Sequence, residues 1–153
     1  MESTQQQADA QADKVIATMV KGMVGAAVIP AHVNWALVAT AMGAGVIRIG
    51  NCYGIKLTKD EAWELIVQFF RAAGLTFCAL NVGSKVLAAL MSSTLIGHAS
   101  AVALDATISA SLAYAVGGCA KSYFKGVRDS RELGRMMRER FAAHKQQSRQ
   151  TQA

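Results

Sequence analysis

Residues 57–73, LTKDEAWELIVQFFRAA, decide the fold class of this chain. Thr58 and Glu61 stand three apart at the head of an apolar run. That is the spacing of a capping box, in which the threonine hydroxyl accepts the N–H of residue 61 and the glutamate carboxylate reaches back to the N–H of residue 58. Asp60 adds a carboxylate to the first turn, where the helix dipole favours negative charge. A helix is therefore predicted from Lys59. On a 3.6-residue wheel Asp60, Glu64, Arg71 and, further on, Lys85 share one stripe, while Ile66, Phe69, Phe70, Ala73, Phe77, Leu80 and Leu87 lie opposite. Such a helix needs other elements to cover its apolar side.

The flanking segments read as helices too. A helix is predicted from near Ala8, with Asp9 and Asp13 close to its start, running through Val15, Met19 and Val20 toward Pro30, which ends it. A second, from about Ala31, reaches Arg48 and is closed by Asn51 to Gly54, with Gly50 and Gly54 available for left-handed backbone. After a break at residues 92–98, a further helix is predicted over 99–124, and Asp129 and Ser130 introduce a last one over 131–145. One proline in 153 residues, and glycines set inside apolar runs, argue against disorder and against an all-β fold. The expected architecture is all-α: two apolar helical hairpins, over 15–47 and 72–120, followed by a basic amphipathic helix. The corresponding organisation is a polar tail over 1–13, a hairpin bundle over 14–128, the basic helix over 129–145 and a disordered tail over 146–153.

Charged residues make up only 17% of the chain, against about 25% in an average globular domain, so something besides water is expected to cover part of the surface. Small residues recur four apart, Ala39 with Gly43, Ala41 with Gly45 and Ala79 with Gly83, and Gly117–Gly118 adds a flat patch. This spacing lets helix backbones approach closely, in lipid or in a compact bundle in water. Spanning a bilayer takes about 20 predominantly apolar residues, and Lys21 and Arg48 leave the first block short. Lys85 and Asp105 are the charges within the second block and are expected to form a buried pair. Interfacial or re-entrant hairpins suit these charges better than four standard spans.

The net charge of +6 is concentrated in one place. From Lys121 onward nine basic residues face three acidic ones, and the rest of the chain is balanced. Lys121, Lys125, Arg128, Arg131, Arg135 and Arg138 recur at three- and four-residue spacing with Phe124, Val127, Met136, Met137 and Phe141 as apolar companions. That pattern suits an acidic surface, an anionic membrane or an acidic protein. Nucleic acid is not the expected partner, because no aromatic stacking platform accompanies the charge.

No phosphate loop, dinucleotide fingerprint, HExxH or nucleophile elbow is present. His32, His98 and His144 stand apart from one another, and Cys52, Cys78 and Cys119 lie singly in apolar stretches, as buried reduced thiols on a cytoplasmic side would. No enzyme activity, cofactor or metal site is expected.

Pro30 after a small apolar stretch, Val46-Ile47-Arg48, Tyr53-Gly54-Ile55, and later Tyr114, Gly117 and Tyr123-Phe124 carry a resemblance. Over about residues 20–124 the chain resembles the bacterial YcjF-like domain of unknown function, found alone or behind Era-like GTPase domains and generally regarded as membrane-associated. The resemblance implies association with the cytoplasmic face of a bacterial inner membrane and a GTPase-type partner supplied by another chain. Nucleotide chemistry does not carry over, because the phosphate loop is missing. The expected function is a non-enzymatic, membrane-associated accessory or scaffold. Two alternatives are a soluble homo-oligomer whose apolar surface is buried between subunits, located in the cytoplasm, and a membrane-inserting or pore-forming protein.

Overall fold

The computed structural model describes residues 2–26, 33–74, 77–78, 103–104 and 106–152. Among them are five helices: α1 (Glu2–Ala26), α2 (Trp35–Cys52), α3 (Lys59–Ala73), α4 (Ala106–Phe124) and α5 (Ser130–Gln152). The all-helical expectation holds. A two-residue antiparallel pair, β1 (Val33–Asn34) with β2 (Ala103–Leu104), sets Val33 opposite Leu104 and Asn34 opposite Ala103. Here the backbone bonds across to a distant segment instead of along itself, so α2 and α4 start later than the sequence pattern suggests.

The capping box of α3 forms as its spacing requires. Glu61 N–H donates to Thr58 Oγ1 at 3.2 Å, and Thr58 N–H donates to Glu61 Oε2 at 2.7 Å. Ala62, Leu65, Ile66, Phe69, Phe70 and Ala73 are buried, whereas Asp60, Glu64 and Arg71 face water. The helix stops at Ala73 because Gly74 takes φ 101°, so the stripe drawn through Lys85 does not continue along this helix. Lys85, Leu80 and Leu87 lie outside the described residues, as do Asp105, Pro30 and the break at 92–98.

The charge-poor α4 is the centre of the bundle, covered by α1, α2 and α5. From Ser109 to Ala120 all of its residues except Tyr114 are buried. A helix that is apolar all round belongs inside, and here protein covers it. Around it lie Ala12, Val15, Ile16, Met19 and Met23 of α1, Val38, Met42, Val46 and Ile49 of α2, and Leu133, Met137 and Phe141 of α5, all buried. No described helix is long and apolar enough to cross a membrane.

The two segments expected as loose tails are helical instead. Residues 2–13, of which those from near Ala8 are also predicted to begin a helix, form the first half of α1, and residues 146–152 the end of α5. Both stretches are rich in Gln, a good helix former, joined by Ala in the first, and hold neither glycine nor proline, so an adjoining packed helix extends through them.

Candidate functional site

The cations read as an acid-binding stripe divide between two elements, and the turns at one end of the bundle place the first of them. Two helices end in the same way there. Gly54, at φ 73°, donates to Asn51 O while Ile55 N–H donates to Gly50 O, and Gly126, at φ 117°, donates to Tyr123 O while Val127 N–H donates to Ser122 O. These are Schellman closures, which use left-handed glycines just past α2 and α4. Gly50 itself stays helical, and a Cβ there would meet Ile55 O at 3.0 Å and Phe124 Cζ at 3.4 Å. The two closures bring Tyr53, at the end of α2, beside Phe124, with ring centroids 6.4 Å apart.

Onto this corner α1 lays its acidic residues. Lys121 Nζ lies 2.7 Å from Asp13 Oδ1, and Lys125 Nζ lies 2.8 Å from Asp9 Oδ2. Tyr53 donates its hydroxyl to the other oxygen of Asp9 at 2.6 Å. Lys125 and, after it, Tyr53 hold the Asp9 carboxyl below its usual pKa. Partial burial and the hydrogen bond to Asp9 push the Tyr53 phenol upward, so it stays a donor. Arg128 turns back over the Tyr123 ring, 3.7 Å from its centroid, and donates to the Tyr123 carbonyl. Three of the six expected cations are thus held at one corner, two of them by carboxylates more than a hundred residues earlier.

The other three lie on α5. Leu133, Met137 and Phe141 place its apolar side in the core, so Arg131, Arg135 and Arg138 point outward. Arg135 pairs with Glu139 one turn on, at 3.0 Å. Arg138 donates to the Ala73 carbonyl at 3.0 Å, meeting the negative end of the α3 dipole. Asp129 caps the first turn by accepting Arg131 N–H at 2.9 Å. Among the described residues, Arg131 and Arg138 have no carboxylate partner. Met137 and Phe141, read as apolar companions of the cations, face the core.

The small-residue positions separate equally clearly. A Cβ on Gly45 would collide with the Met19 side chain, one on Gly117 would lie 2.8 Å from Ile16 Cγ1, and one on Gly118 would meet the Arg140 guanidinium. These three are close-packing sites. Ala39 is buried, but Ala41 is exposed and Gly43 has nothing within 4 Å. Ala79 and Gly83 lie outside the described residues, and so does the proposed Lys85–Asp105 pair. A tight approach outside the expected pairs is that of Gly134 of α5 to α3, where an added Cβ would run into the Ala72 carbonyl.

At the other end of the α4–α5 contact His144 Nδ1 lies 3.1 Å from Ser111 Oγ, with the Tyr114 ring 5.2 Å away. Burial lowers its pKa. His32 and His98 lie outside the described residues. The three cysteines are free. Cys78 and Cys119 are buried, and burial raises both thiols, Cys119 to about 12, which makes them weak nucleophiles at neutral pH. Among the described residues no group of three His, Cys, Asp or Glu side chains converges to hold a metal.

A family model described as a domain of unknown function, DUF697, matches residues 1–150, and the chain belongs to this family. No curated protein and no solved structure matches it significantly.

Proposed function

We propose that this protein is a non-enzymatic accessory or scaffold that docks on the anionic cytoplasmic face of a bacterial membrane through the cations of α4 and α5, serving a GTPase-type partner supplied by another chain. The observation that carries the proposal is the orientation of α5: its apolar side is spent inside the bundle, and its outward side presents Arg131, Arg135 and Arg138 to solvent. Docking is therefore electrostatic, with little apolar insertion of this helix. The GTPase-type partner rests on the resemblance to the YcjF-like domain alone.

Vesicle co-sedimentation tests the docking. Replacing Arg131, Arg135 and Arg149 with Gln removes three exposed charges and spares Arg138, whose guanidinium ties α5 to α3. Each cation near an anionic surface contributes about 1 kcal/mol, so the triple variant should bind phosphatidylserine-containing vesicles at least ~10-fold more weakly at low salt. Equal binding by parent and variant would reject the proposal.

A second reading, self-association, has an observation of its own. The outer side of α2 exposes Thr40, Ala41 and Ala44, and beside them Gly43, Ile47 and Trp63 border a cavity of about 260 Å³. A second copy of the chain could lay a helix there. A stable detergent-free oligomer recovered entirely from the soluble fraction of cells would favour this reading over membrane docking.

A further inference from the structure

We propose that the first half of α1 is a detachable acidic cover over Lys121 and Lys125, which an anionic surface displaces when it docks. This rests on the docking reading above and adds a regulatory step to it. Asp9 and Asp13 stand four apart on α1, Lys121 on the last turn of α4 and Lys125 just past its end stand four apart, and the pairs match in antiparallel order, Asp13 with Lys121 and Asp9 with Lys125. The cover thus occupies these cations with the same chemistry, closely spaced carboxylate charge, that an acidic ligand would bring.

The two halves of α1 are held by different forces. From Ala12 onward the helix is anchored by Ala12, Val15, Ile16, Met19 and Met23, all buried. Ahead of Ala12, by contrast, no described residue of α1 is buried; Ala8 and Asp9 are half-buried and the others are exposed. The polar contacts that fix the first half are the two ion pairs and the Tyr53–Asp9 hydrogen bond. Exposed ion pairs are weak and salt-screened, and a membrane surface offers many negative charges against two. The first three turns can therefore leave α4 while the apolar half keeps the bundle intact. Release would add Lys125 to the outward cations of α5, and Asp13, one residue into the anchored half, would hold Lys121 by its side chain alone, where the anionic surface competes for it.

The test uses the full chain and the double variant D9N/D13N, which keeps a hydrogen-bonding side chain at each position. D60N/E64Q is the control: it removes the same charge from exposed positions of α3. Hydrogen exchange without vesicles should be slow over residues 6–11 of the parent and clearly faster in D9N/D13N, with residues 12–23 unchanged in both. Adding phosphatidylserine–phosphatidylcholine vesicles to the parent should speed exchange over the same 6–11 segment. D9N/D13N should bind those vesicles more tightly than D60N/E64Q does, by about threefold or more at low salt. Exchange over 6–11 that is equal in parent and D9N/D13N overturns the cover whatever the vesicles do. If the parent binds vesicles but D9N/D13N gains no more than the control, the cover fails and the docking stands. If neither parent nor any variant binds, the docking reading fails and the cover with it.

Discussion

Gly134 and Gly43 are both helical glycines, yet opposite consequences follow from substituting them. A Cβ at Gly134 would run into the Ala72 carbonyl, part of a backbone that cannot rotate aside, whereas one at Gly43 would meet nothing within 4 Å. Gly134→Ala should lower the unfolding free energy by about 1–3 kcal/mol through overpacking, outweighing the ~1 kcal/mol by which alanine favours a helix over glycine. Gly43→Ala should raise it by up to ~1 kcal/mol. Urea titration of both variants checks the pair, and equal effects would show that the α3–α5 approach is looser than described. His144 gives a residue-scale pH dependence. It faces Ser111 and Tyr114 from α4, lies on α5 with Arg140 and Lys145, and has no carboxylate in contact among the described residues. Burial favours the neutral ring and so lowers its pKa from 6.5 in the folded state. The unfolded chain then binds more protons than the folded one just below that value. The contribution of His144 is complete above pH 6.5 and declines as pH falls from there through the lowered pKa. Urea midpoints measured across this range should fall on acidification, and His144→Gln should flatten that part of the profile.

At the scale of elements, α3 shows how a local signal becomes structure. Thr58 and Glu61 satisfy each other's backbone donors without outside help, so four residues of sequence suffice to place the helix start. Thr58→Ala should cost about 1 kcal/mol, read as a lower urea midpoint, and Thr58→Asn, which caps equally well, should restore it. What the sequence could not convey is which surface covers which. The apolarity of α4 is visible in a run of Ala, Val, Leu and Gly, but lipid and protein make the same demand of such a run, and two of the three helices packed on it, α1 and α2, come from distant parts of the chain. The Ala–Gly pairs four apart likewise found Gly45, yet they also marked Ala41, which is exposed, and Gly43, where an added Cβ meets nothing within 4 Å, and they left out Gly134. The pairing of the acidic start of α1 was unreadable for a similar reason. With no apolar side that segment resembles a tail, and its partners Lys121 and Lys125 lie more than a hundred residues away.

For the whole molecule, the proposed docking turns on whether the described surface presents charge or apolar area. The apolar sides of α4 and α5 are turned inward, and the cations on the outside of α5 have few acidic partners, so the described surface offers a membrane more charge than hydrocarbon. Attraction between exposed charges reaches roughly 8 Å at physiological ionic strength and only about 3 Å at 1 M salt. Protein bound to anionic membranes at low salt should therefore leave the pellet when washed with about 1 M sodium chloride, without detergent. Vesicles of phosphatidylcholine alone should retain much less of it at any salt concentration. A hairpin lodged in the bilayer would behave differently, because apolar burial is not screened and high salt strengthens it if anything. Retention after the salt wash, with release only by detergent, would therefore reject electrostatic docking in favour of the membrane-inserting alternative.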